Sequence, residues 1–484
     1  MSTTPFSPIY VNRVLDPAYQ NWKAYYYKAL IDVQKAHLCM LYDRKIISSE
    51  IAFRIARALY DLQDTFVLPT HIPQNAEDLY FLFESSLFEV AGEDAAWLHT
   101  ARSRNDMDTT VFRLSLRERL LSLLERNLLF FQTLIDRCKE GEEELTILFT
   151  HGQPANPSTI AHYLSSFLME MIENTYKLID VIKDVNRSTM GACAITGSGF
   201  DIDREGMSKS LGFDSFIVNT YQAISTSHWL ISTASCLQVM MVDVGRFVVD
   251  MLHKVSAEVG LLRFPDELVQ ISSIMPQKRN PVILEHIRIQ AEAIAGDCQS
   301  IIQSFHNVPF QDVNENADML ITRMICLIDQ SYSVFDLLEE SLIKMKSNTE
   351  RAREVCYCFG VTTTELADTL VRKFSVGFRK AHKICSEFEV KGQEKEALRR
   401  IFLKSTGQKL NLSDQEIDEI LSPERFISVR STNGGPSSAG MKMIYESANN
   451  ALNDFEECIR AYRNKWDSAK HLLNKRFDSL LKSP

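Results

Sequence analysis

The sequence predicts an all-α fold built mainly of long helices, and three observations carry that expectation. Glycine and proline are sparse, 18 and 14 of 484 residues, so few turns are available to break the chain. Apolar residues recur at helical spacing. Leu237, Met240, Met241, Val244, Phe247, Val248 and Met251 follow the i, i+3, i+4, i+7 pattern of one buried helix face. Turn signals collect at a few places only: Gly141, Gly152 to Pro157, Gly191 to Gly212, Phe264 to Pro281 and Val308-Pro309.

A second stripe runs through Leu116, Leu120, Leu123, Leu124, Leu128, Phe131, Leu134 and Ile135, and similar spacing follows Pro157, Pro281 and about Leu320. Core packing explains such faces better than a cofactor lining does, because every helix of a bundle needs one. Three parts are expected: a helical N-terminal region over 1–110, a central long-helix bundle over 111–350 and a smaller helical region over 351–484. No fixed-period repeat or low-complexity tract interrupts them.

The composition, 45% hydrophobic and 24% charged, is that of a soluble globular protein. A net charge of −10 argues against a nucleic-acid binder, which would carry a basic stripe. The N-terminus lacks a basic stretch followed by an apolar core, and no apolar run approaches the ~20 residues that span a bilayer. A cytoplasmic protein with no membrane partner is therefore expected. Ten cysteines are scattered without zinc-finger spacing, so reduced buried thiols are expected and a metal site is not.

Three polar segments are dense in catalytic residue types. His99-Thr-Ala-Arg-Ser-Arg-Asn-Asp106 offers two guanidinium forks, a hydroxyl and an amide, suited to gripping carboxylates. A capped helix start with solvated arginines reads the same residues more plainly. Thr150-His151-Gly-Gln153-Pro-Ala-Asn-Pro157 joins two helices and places a histidine on a turn stiffened by prolines. Such a histidine is more often only a surface residue. Ser272-Ser-Ile-Met-Pro-Gln-Lys278-Arg-Asn280-Pro281 precedes another helix, near whose positive end Lys278 and Asn280 could meet a developing anion. Glu285, on the first turns of that helix, could hydrogen-bond a histidine and raise its basicity.

Ser272 to Pro281 resembles the signature of the fumarase/aspartase superfamily. The other two segments, and Gly191 to Glu205, are similar in order and spacing to motifs of argininosuccinate lyase. The resemblance covers about residues 75 to 345. It implies a carbon–nitrogen lyase that eliminates fumarate from an N-substituted aspartate, or adds an amine to fumarate, with no cofactor or metal. It implies Ser272 as base, Lys278 and Asn280 as stabilisers of the carbanion, and His151 paired with Glu285 at the departing nitrogen. Ser103, Arg104, Asn105, Thr150 and Gln153 would hold the substrate. The implied assembly is a homotetramer with five long central helices per chain, a twenty-helix core, and active sites that each collect loops from three chains.

The departures from the family pattern gather at the amine end of the substrate. Ile271 stands where the family has glycine before the serine pair, and Ser227 where it has arginine. Pro309 to Ala317 lacks the family's tyrosine and two lysines, Tyr80 replaces a histidine, and Gln34 and Leu30 replace a serine and an aspartate. These losses imply a substrate whose amine part is not arginine, such as a diamine or amino-acid conjugate. The alternatives are a true argininosuccinate lyase and a non-catalytic, crystallin-like structural homologue; retention of the five residues assigned to proton transfer and the carbanion argues against the latter.

Overall fold

The computed structural model describes residues 5–482, so the first four residues of the N-terminal stretch read for a leader lie outside it. The N-terminal part contributes helices α1 (Tyr27–Asp43), α2 (Ser49–Thr65) and α3 (Leu79–Ala91). The central part follows with α4 (Arg104–Glu140), a hairpin of β1 (Leu145–Thr150) and β2 (Gln153–Thr159), and α5 (Ile160–Val185). Next come α6 (His228–Val255), the short strands β3 (Gln270–Ile271) and β4 (Arg279–Asn280), α7 (Val282–Ser304) and α8 (Asp318–Lys344). After a cluster of short helices, α9 (Ser438–Leu480) closes the chain. The fold is all-α, as the sequence predicts, with two-stranded pairs as the only sheets among the described residues.

The five central helices pack in a closed ring: α4 on α5, α5 on α6, α6 on α7, α7 on α8 and α8 back on α4. All seven residues of the Leu237–Met251 stripe are buried, each contributing about 1.5–3 kcal/mol on leaving water. One core runs from Val11 to Leu480, because α9 returns to lie against α1, α4 and α5. A separate small core joins residues from Leu366 to Leu421.

Two helix starts position the polar segments. Ser103 caps α4, its hydroxyl accepting the backbone N–H of Asn105 at 3.4 Å while Asp106 accepts that of Ser103 at 2.9 Å. Thr159 caps α5, accepting the N–H of His162 at 3.1 Å. Thr150–Pro157, expected as a turn between helices, is instead the end of the β1–β2 hairpin. His151 and Gly152 form its two-residue tip with φ of +54° and +72°, the pattern of a type I′ turn.

Candidate active site

At Ser103–Asn105, Ser103 is the helix cap, while the neighbouring arginines are paired with protein groups rather than solvated. Arg102 is buried, donating to Gln34 Oε1 at 2.7 Å and to the Tyr80 hydroxyl at 3.1 Å. The Tyr80 hydroxyl in turn donates to Glu84 at 2.9 Å and lies 3.0 Å from His99 Nδ1. Gln34 and Tyr80, two of the family departures, thus meet on one guanidinium and hold the segment from beneath. Asp106 is fully buried and accepts three backbone N–H groups, from Ser103, Gly191 (2.8 Å) and Cys193 (3.0 Å). Burial pushes its carboxyl up to about 6 despite those bonds.

Arg104 and Asn105 line a cavity of about 860 Å³ together with residues 312–318. The Arg104 guanidinium pairs with Asp78 and, at 3.2 Å, with Asp108. Asn105 donates to Asp312 at 2.8 Å. With Glu77, Glu315 and Asp318, six carboxylates and one guanidinium line the cavity. Burial raises Asp108 to about 7 against the pull of Arg104, and raises Asp312 and Asp318 as well. On the same side, Ser227 donates to Asn316 Oδ1 at 2.6 Å. A position that has lost an arginine and a segment that has lost its lysines therefore satisfy each other with one neutral hydrogen bond.

Thr150, His151 and Gln153 are exposed at the hairpin tip. His151 lines a different groove, with Asp250 and His253 of α6 and Glu292 of α7. Ser272 and Lys278 sit on an exposed loop pinned at its base by the β3–β4 pair. The Ser272 Oγ accepts the backbone N–H of Met275 at 3.0 Å and of Ile274 at 3.3 Å. Asn280 follows in β4, and Glu285 is exposed on the first turn of α7. Arg104 and His151 line different cavities, and among the described residues neither His151 nor Glu285 has a side-chain hydrogen bond or ion pair.

Residues 11–296 match the family model described as Lyase, and residues 360–428 match the one described as Argininosuccinate lyase C-terminal. Over 481 residues the chain is 34% identical to argininosuccinate lyase 2 of Agrobacterium fabrum, covering 97% of this chain and 95% of that protein. The chain belongs to the fumarase/aspartase superfamily, close to argininosuccinate lyase. An argininosuccinate lyase 1 of Shouchella clausii is 31% identical over 88% of this chain and 87% of its own. Among solved structures, EDDS lyase in complex with formate superposes with a TM-score of 0.82 at 22% identity, over 99% of this chain and 97% of that one. An EDDS lyase variant with bound fumarate gives 0.81 at 22% identity, with the same coverage. Those two likenesses are of fold. The protein is an enzyme, a carbon–nitrogen lyase that eliminates fumarate from an N-substituted aspartate.

Three features of this lyase were invisible in the sequence. Asp106 stood inside a motif without a role, the carboxylates of 312–318 face Arg104 only once the chain is folded, and Lys254 lay hidden in an apolar stripe. A lysine on the core face of a helix was the available signal for the last.

Proposed function

We propose that this lyase acts on an N-substituted aspartate whose amine half is cationic and carries no carboxylate, such as a diamine conjugate. The cavity beside Arg104 and Asn105 carries the reading, with six carboxylates in its lining and a single, already paired guanidinium. At an effective dielectric near 20, each carboxylate about 5 Å from a ligand carboxylate costs about 3 kcal/mol and favours a ligand ammonium by the same amount. An amino-acid half would bring a further carboxylate into that field, where the one guanidinium, Arg104, is already engaged with Asp78, Asp108 and the succinyl half. A diamine brings an ammonium.

The succinyl half is handled by residues retained from the family pattern. Ser103, Arg104, Asn105, Thr150 and Gln153 hold its carboxylates. Ser272 removes the proton next to the far carboxylate. A serine hydroxyl is a weak base, and the two backbone N–H groups on Ser272 Oγ support its ionised form. Lys278 and Asn280 stabilise the doubly charged aci-carboxylate so formed. His151, paired with Glu285, gives the departing nitrogen its proton.

Arg104 and His151 line different cavities of one chain, and a homotetramer in which three chains share each site would bring these groups together. Exposed apolar side chains on the central helices, among them Leu129, Val242, Val249, Ile289 and Ile343, support such an assembly. A cytoplasmic setting completes the reading, supported by ten unpaired cysteines and by the lack, among the described residues, of a helix long and apolar enough to cross a membrane.

Incubating the protein with fumarate and a panel of amines, and following fumarate absorbance, tests the reading. Consumption with diamines and not with amino acids is expected. Preferential consumption with an amino acid would overturn the assignment of the amine half.

A further inference from the structure

The side chain of Lys254 is 1% exposed, at the end of α6 and behind the hairpin that carries His151. Burying an ammonium is costly, and the desolvation shows in a lowered Lys254 pKa. Its surroundings repay that cost in a specific way. The Nζ donates to the carbonyl of Ile147 in β1 at 3.0 Å. In the hairpin register Ile147 stands opposite Pro157 at a non-hydrogen-bonded position, out of phase with the bonded 146/158 and 144/160 pairs, so its carbonyl points away from β2. Lys254 thus supplies the donor for a buried carbonyl on the edge of β1 that turns away from β2.

The same ammonium lies 4.9 Å from the ring centre of Phe149, on β1, and 4.6 Å from that of Tyr163, on α5. Asp250, one turn earlier on α6, is 3.7 Å away. His253 packs edge-on against Phe149 at 4.8 Å. The strand register shifts between Leu148 and Phe149, between the two points where Lys254 engages it. Thr150 and His151 follow directly. Through these contacts the end of α6 sets how far the hairpin tip stands from the bundle.

We infer that Lys254 is a positioning residue for the reaction: a buried cationic clamp on β1 that places Thr150 and His151 against the substrate. The inference rests on the proposed roles of those two residues. Lys254 itself touches neither substrate nor reacting atoms. Its loss should therefore act on turnover through geometry, as a displacement of about 1 Å does when it costs up to about a hundredfold in rate.

The test compares Lys254→Met, which removes donor and charge at similar length, with Lys254→Arg, which keeps both. Fumarate addition to a diamine gives kcat and KM, and hydrogen exchange of amides 145–159 reports the hairpin directly. Lys254→Met should lower kcat about tenfold or more while KM for fumarate stays within about threefold. Hairpin amides should exchange faster while those of α7 do not, and Lys254→Arg should recover most of the rate. Should Lys254→Met fail to fold, Tyr163→Leu, which removes one ring face from the ammonium, carries the same expectation at smaller size.

A folded Lys254→Met or Tyr163→Leu enzyme with wild-type kcat overturns the inference, even if its hairpin exchanges faster, because the clamp would then be structural only. Wild-type protein that consumes no fumarate with any amine would instead overturn the proposed function. The hairpin exchange would still decide whether Lys254 holds β1.

Discussion

Asp106 offers a perturbation whose size follows from the geometry. Its carboxylate accepts the N–H of Ser103 on one oxygen and those of Gly191 and Cys193 on the other, with no exposure to water. Asparagine fills the same space but has a single acceptor oxygen. With that oxygen turned to Gly191 and Cys193, the amide NH₂ faces the Ser103 donor, leaving one buried N–H unpaired at about 1–3 kcal/mol. The opposite orientation strands two donors and costs about twice as much. The first orientation should prevail, so Asp106→Asn is expected to lose about 2 kcal/mol. Asp106→Ala strands all three donors and should lose roughly 4 kcal/mol or more. Denaturant midpoints read the stability, and fumarate consumption on the same samples reads the site. Because Asp106 ties the Ser103–Asn105 segment to the 191–193 loop, activity should fall in both variants before unfolding begins. An Asp106→Asn protein with unchanged midpoint and unchanged rate would show that these three N–H bonds hold neither the fold nor the site.

Three further outcomes are expected. Ser272→Ala removes the base and the acceptor for Ile274 and Met275 on an exposed loop, so turnover should drop by at least about a thousandfold with no change in melting temperature; a fully active variant would remove Ser272 from the mechanism. Asp108, raised to about 7, attracts a cation only when ionised. The wild-type KM for a diamine should thus fall as pH rises through about 7, beyond whatever fall Asp108→Asn retains from titration of the amine, and parallel profiles would exclude Asp108 from amine binding. Ser227→Arg breaks the bond to Asn316 and puts a cation beside the acidic cavity, so it should raise the KM for a diamine by about tenfold or more; an unchanged KM would separate Ser227 from specificity.

The long helices were legible because their apolar stripes are continuous, and every residue of the Leu237–Met251 stripe is in the core. The hairpin was not read. Its strand signal, Leu145 to Thr150, is short, and the opposite strand contains Pro154 and Pro157, residues that argue against a strand until the register is known. The return of α9 to the main core was also hidden, since a stripe on a helix does not name its partner. At the candidate site, motif spacing located each polar segment but not its neighbours. Gln34 and Tyr80 are 46 positions apart and register as two unrelated losses in the sequence, yet both bond to Arg102. Ser227 and Asn316 behave in the same way across 89 positions. Tertiary contact turns these isolated departures into paired ones, and it sets the acidic 312–318 segment opposite Arg104.

Preference for a cationic amine half is tested by a direct competition between two substrates. The enzyme would be given argininosuccinate and an N-(aminoalkyl)aspartate of similar length at equal concentration, with fumarate and both amine products quantified. The diamine conjugate should be consumed with a kcat/KM at least about a hundredfold higher, as expected for one ligand carboxylate placed without a cationic partner. Arginine released at an equal or greater rate would contradict the account and mark the chain as a true argininosuccinate lyase.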